Sequence, residues 1–114
     1  MRVLHCYKTS LNASMGGVEV FLDTLCNHEA SLGVESTLFA LNKQPSSTPV
    51  QMKHHRIIES KQLCHFASTG FSVSAFSDFK RCVAEADIVH YHFPNPFADM
   101  LHFACQVSKP TIMT

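Results

Sequence analysis

The 114-residue chain has no tryptophan, no C-x-x-C pair, no excess of either charge and only four glycines. Each shortage excludes something. Nine Lys and Arg balance nine Asp and Glu, so the basic footprint that nucleic-acid binding leaves is missing. No apolar run reaches the roughly 18–20 residues needed to span a bilayer. Met1-Arg2-Val3 passes directly into strand-like sequence, without the long apolar core of a secretion signal, which predicts a cytoplasmic protein. The five cysteines (Cys6, Cys26, Cys64, Cys82 and Cys105) are odd in number and scattered. They read as reduced, mostly buried small side chains rather than as disulfides or zinc ligands.

What is present is the composition of a folded domain. Hydrophobic residues make up 46% and charged residues 16%, enough to bury a core. The length fits one domain over 1–114. Eight histidines make the charge sensitive to pH just below neutrality.

Periodicity supplies the elements. Val3 to Tyr7 reads as a strand ending in the polar stretch 8–14. From Gly17, Val18, Phe21, Leu22, Leu25 and Leu32 recur at helical spacing, with Glu19, Asp23, Asn27 and Glu29 on other faces. Gly33 stands where a left-handed C-cap belongs. Val34 to Leu41 is strand-like, Asn42 to Lys53 reads as a loop, and Arg56-Ile57-Ile58 marks a third strand within His55 to Glu59. Lys61 to Ser74 fits either a broken helix or an ordered loop. Ser74 is placed to cap a helix running to Ala86, with Phe76, Phe79 and Val83 inward. Asp87 to His92 reads as a buried strand, and Asn95 with Pro96 opens a third helix. Lys109 to Thr114 begins a last strand, so an incomplete piece of a longer domain is expected. The order predicts a Rossmann-like, doubly wound parallel sheet of about five strands with helices on both faces.

In such sheets ligands sit at the carboxyl ends of the strands, and the first strand-to-helix turn is the usual anion site. Gly16-Gly17 occupies that turn and opens a helix, where missing Cβ atoms and a favourable dipole suit a phosphate. G-x-G-x-x-G and G-K-[ST] are both absent. On the residues alone, a tight turn and a phosphate cradle stand level.

His90 and His92 flank Tyr91 in a strand, so both imidazoles point to one face. They serve as hydrogen-bonded structural groups, as ligand contacts at the rim, or with His102 or His5 as a metal site. Asn95, just beyond, joins them as a candidate ligand contact. Phe93 and Phe97 either stack on a ligand or fill core. Lys53, His54, His55, Arg56 and Lys61 form a small basic cluster, either a solvated face or a contact with anionic lipid. Nucleophilic roles for Cys6, Cys64 or Cys105 have no supporting context.

Three segments, RVLHCYKTS…MGGVEVFLDTL, ADIVHYHFPNPFADML and KPTIMT, resemble in this order the N-terminal domain of GT-B glycosyltransferases, in the large retaining group called family 4. The resemblance implies two Rossmann-like domains facing one cleft. This chain would supply an incomplete N-terminal, acceptor-side domain, and the C-terminal nucleotide-binding domain would lie elsewhere. It implies a nucleotide-sugar donor and a glycan or lipid-linked acceptor, in surface polysaccharide or glycolipid assembly. Gly16 and Gly17 would offer backbone N–H groups to the donor diphosphate. Glu19 would hold that loop or touch a ligand, level with the alternative of a solvated helix face. The family's catalytic histidine would fall beyond Thr114, so no catalytic residue, metal or cofactor is assigned and the isolated chain is expected to be inactive.

Further expectations are a peripheral position on the inner membrane face and a homodimer through apolar surface near Ile112 and Met113. The alternative is a non-catalytic α/β ligand-binding or regulatory module. A dinucleotide enzyme is disfavoured, because the second strand ends Phe39-Ala40-Leu41-Asn42 with no ribose-binding acid.

Overall fold

Val3, His5 and Tyr7 alternate with Leu4 and Cys6, and all five are buried. A strand with both faces covered belongs in the middle of a doubly wound sheet. The computed structural model describes residues 1–8, 16–62, 64–66, 69–71, 74–92 and 95–114, and there β1 (Arg2–Cys6) is central. It pairs in parallel with β2 (Glu35–Asn42) on one side and β7 (Ile88–Tyr91) on the other. β4 (Arg56–Lys61) extends the sheet beyond β2, and β8 (Thr111–Met113) beyond β7, both in parallel. A two-residue strand, β3 (Val50–Gln51), closes the other edge antiparallel to β4, giving the order β3-β4-β2-β1-β7-β8.

Helix α1 (Gly17–Ser31) covers one face; α2 (Ala75–Glu85) and α3 (Pro96–Ala104) cover the other. Under α1, Tyr7, Leu22, Leu38 and Ile57 form a small core. The larger core lies beneath α2 and α3 and joins Leu4, Cys6, Phe39, Leu41, Phe79, Val89, Tyr91, Phe97 and Leu101. Rings meet edge-on there, Phe39 with Phe79 at 5.6 Å and Phe76 with Phe97 at 5.8 Å, the geometry that aromatic quadrupoles favour. Phe97 is therefore core rather than a stacking platform. Phe93 and all of the polar stretch 8–14 after Lys8 lie outside the described residues.

Four expectations are corrected. The sheet has six strands rather than five, because β3 sits inside the stretch read as a loop; two residues cannot show alternation. The described parts of the ambiguous segment form a hairpin, β5 (Cys64–Phe66) with β6 (Thr69–Phe71). Helix α1 turns Glu19, Leu22 and Cys26 inward, while Phe21 and Leu32 are 55% and 80% exposed. Ser74 and Asn95 occupy N-cap positions without a side-chain cap bond. The Ser74 backbone is itself helical, and Asn95 (φ −151°, ψ 79°) departs from the extended conformation of an ordinary cap.

The expected stop at Gly33 is present. At φ +80° it ends α1 with the paired bonds of a Schellman motif, Gly33 N–H to Ala30 C=O at 3.1 Å and Val34 N–H to Glu29 C=O at 3.0 Å.

Candidate functional site

The two glycines prove to differ. Gly16 is the N-cap of α1, and a Cβ built on it would meet the Glu19 carboxylate, 2.9 Å from Oε2 and 3.2 Å from Cδ. Glu19 is not a solvated helix-face residue: it is only 7% exposed and folds back over its own helix start. That is the direction the N3 glutamate takes in a capping box. Gly16 thus makes room for Glu19. Gly17 is exposed, and a Cβ there would meet nothing within 4 Å. The open approach to the helix N-terminus, where the first N–H groups lack a partner within the helix and the dipole is positive, is on the Gly17 side.

Beside this turn the carboxyl ends of β1 and β7 carry imidazoles. His5 and His90 are register partners across the two strands, and His92 follows on the same face. His90 and His92 stack with centroids 4.1 Å apart. His5 Nδ1 lies 3.0 Å from His92 Nε2, and His5 Nε2 lies 2.7 Å from Glu29 Oε1 on α1. Ser36 Oγ donates to the same carboxylate oxygen at 2.9 Å. At the other end, Thr114 Oγ1 is 3.3 Å from His92 Nδ1 and 3.1 Å from His90 Nε2.

The directions of these bonds follow from Glu29. Burial opposes its charge, but the bonds from His5 and Ser36 and the field of His5 and His90 hold its carboxyl below the ordinary carboxylate range. An ionised Glu29 can only accept, so His5 presents Nε2–H to it and keeps Nδ1 as an acceptor. His92 then donates from Nε2 to His5 and accepts at Nδ1 from the Thr114 hydroxyl, whose oxygen accepts from His90 Nε2–H. Four donations run one way into one carboxylate, the arrangement in which hydrogen bonds polarise one another. Burial, then the neighbouring imidazoles, push His92 down to about 3, and burial with His5 lowers His90 as well. His90 and His92 are therefore neutral near pH 7.

Of the two partners proposed for His90 and His92, the structure selects His5. His102 lies on the opposite face, its Nδ1 2.8 Å from the Tyr91 hydroxyl. Asn95 is buried and so offers little surface to an acceptor sugar. No spacing or motif marks Glu29, Ser36 or Thr114 as members of the network, since each is brought in only by the folded register.

The basic cluster does not survive folding as one patch. His55 is buried with Nδ1 4.0 Å from Asp23 Oδ1, and burial pushes its pKa down. Arg56 faces Glu85 at 3.9 Å. No helix among the described residues is long and apolar enough to cross a membrane. A cavity of about 540 Å³ opens at the amino ends of the strands, among Arg2, Glu35, His54, Arg56 and Glu85. It is remote from the glycine turn, and its Arg2–Glu35 and Arg56–Glu85 pairs satisfy one another. The described cysteine side chains are free thiols; burial raises Cys26 to about 12 and Cys82 to about 11, so neither supplies a thiolate.

The chain resembles known sugar transferases in sequence. D-rhamnosyltransferase WbpZ of Pseudomonas aeruginosa is 40% identical over 114 residues, which is 100% of this chain and 30% of that protein. O-antigen chain mannosyltransferase C of Escherichia coli is likewise 40% identical over 114 residues, 31% of its own length. The chain thus spans about a third of the length of these curated relatives. The family model for Glycosyltransferase Family 4 matches residues 15–114, from the residue before the glycine pair through α1, the histidine strand and β8. A Rossmann-like sheet with a glycine turn at its carboxyl end and this match lead to one conclusion: the chain belongs to glycosyltransferase family 4.

Proposed function

We propose that this chain is the acceptor-side part of a retaining sugar transferase that takes its sugar from a nucleotide donor and adds it to a glycan or lipid-linked glycan. The observation that carries the reading is the open, exposed Gly17 at the start of α1, next to the carboxyl end of β1. A diphosphate seated there accepts from the N–H groups of the first helical turn, which have no partner within the helix. As the glycosidic bond to the donor phosphate breaks, negative charge builds on that phosphate, and fixed backbone donors stabilise it without reorganising. Glu19 leaves Gly16 no room and carries a negative charge of its own, so the phosphate approaches from the Gly17 side. The two relatives are named for D-rhamnose and mannose, which differ only in the 6-hydroxyl. A manno-configured donor sugar is the corresponding reading for this chain.

Pyrophosphate titrated into the chain tests the phosphate site, with amide shifts read by NMR. Shifts are expected at Gly17 and Val18, and they should disappear in Gly17→Val, whose side chain has space in the apo fold but closes the approach. In the transferase polypeptide that carries this domain, the same variant should lower transfer from a manno-configured nucleotide sugar about 100-fold, the scale of a misplaced reactant. Undiminished transfer, or pyrophosphate shifts that persist in Gly17→Val, would overturn the assignment.

A further inference from the structure

The imidazole cluster supports an inference that does not rest on the transferase reading. We propose that His5, His90 and His92 bind one divalent transition-metal ion of the borderline class, such as Zn²⁺ or Co²⁺. One ligand nitrogen from each of the three rings lies within 4.8 Å of the others. The closest pair, His5 Nδ1 and His92 Nε2, is already 3.0 Å apart. Two nitrogens bound to one tetrahedral ion at about 2.0–2.1 Å stand about 3.4 Å from each other. A small opening of that pair admits an ion in place of the shared proton.

The outer nitrogens make the stronger case. A metal-bound histidine almost always donates its other N–H to a carboxylate, carbonyl or hydroxyl, which fixes the ring and raises its basicity. His5 has Glu29 in that position, at 2.7 Å, and Glu29 is itself held by Ser36. His92 Nδ1 and His90 Nε2 both face Thr114 Oγ1. With the metal in place, the proton now between His5 and His92 moves to His92 Nδ1. The Thr114 oxygen then accepts from both rings, and its own hydrogen turns away. Every imidazole keeps one N–H before and after, so no net proton is released at neutral pH. His90 is only half-buried, so the cluster is reached from solvent along that ring. The nearby group of His5, Cys26 and Glu29 is the poorer choice, because His5 Nε2 is committed to Glu29 and burial keeps the Cys26 thiol protonated.

The test is calorimetric titration of chelator-treated chain with Zn²⁺, with side-chain ¹⁵N spectra of the same wild-type samples. One ion per chain is expected, with ring-nitrogen shifts at His5, His90 and His92 and none at the exposed His28 and His54. His92→Gln should abolish that site, and Glu29→Gln should weaken it by about 10–100-fold, the usual effect of losing an outer carboxylate. His28→Gln should change nothing. No binding by the wild type, shifts confined to other histidines, or unaltered affinity in a folded His92→Gln chain would each overturn the proposal. If His92→Gln does not fold, the wild-type spectra decide alone.

Discussion

Phe79→Ala is expected to lower the unfolding free energy by about 3–5 kcal/mol, the range for removing a large buried ring. Phe79 has no exposed surface and carries α2 into the larger core. Its ring meets Phe39 of β2 edge-on at 5.6 Å and Tyr91 of β7 at 6.4 Å. The side chain therefore ties α2 to strands on both sides of β1. Those partners belong to a hydrogen-bonded sheet that cannot collapse inward, so the truncation leaves a cavity as well as losing transfer free energy. A single domain has about 5–15 kcal/mol in total, so the variant should sit close to its unfolding threshold. Phe21→Ala is the matched control: the same atoms are removed from a side chain 55% exposed, and the cost should stay within about 1 kcal/mol. Urea denaturation of both variants measures the difference. Equal losses would mean that α2 is not anchored through Phe79.

The contrast between these two phenylalanines also marks where the sequence is readable. Helical periodicity puts both at inward positions, and for α2 the reading is right. In α1 it holds for Leu22 and Val18 but fails at Phe21 and Leu32, where the sheet beneath the helix is polar at its centre. His5 of β1 and Ser36 of β2 need acceptors, so Glu29 turns inward with Leu22 and Cys26, and Phe21 turns outward. A pattern that scores apolar residues cannot see a polar seam. Elements with a strong local cause were legible, namely the strands β1 and β7 and the glycine stop at Gly33. The caps at Ser74 and Asn95 were misread because residue type was right and backbone geometry was not. β3 was missed because its two residues become a strand only by pairing with β4. At the candidate site, Gly16-Gly17 and the one-sided His90 and His92 were visible from spacing. The third imidazole was one of two choices, and its link to His92 spans 87 residues. Glu29, 24 residues from His5, becomes its partner only when α1 lies back across β1.

That polar seam carries the second large effect, loss of stability in mild acid. Burial holds His92 at about 3 in the folded chain, against about 6.5 when unfolded. Between those values the unfolded chain binds a proton that the folded chain refuses. Unfolding then takes up a proton, and stability falls as pH falls, by about 1.4 kcal/mol per pH unit for this one ring. From about pH 6.5 to 4.5 that amounts to about 2.3 kcal/mol, because the slope is only half its full value at the unfolded pKa. His55 and His90 are also held below their ordinary value by burial and act in the same direction. Glu29 enters later: its lowered carboxyl contributes stability above the unfolded value of about 4.5, lost only as pH falls through the folded pKa. Asp23, facing His55, and Glu29, facing His90, offset part of the cost of charging those two rings, but burial outweighs them. Urea denaturation with chelator at about pH 7.5, 6.0 and 4.5 should show a steep decline. In His92→Gln the slope should shrink by about 1.4 kcal/mol per pH unit, whatever its absolute stability. An unchanged slope would mean that His92 is already protonated in the fold; Glu29 would then sit beneath a cationic pair, and the one-way chain of neutral imidazoles would be wrong.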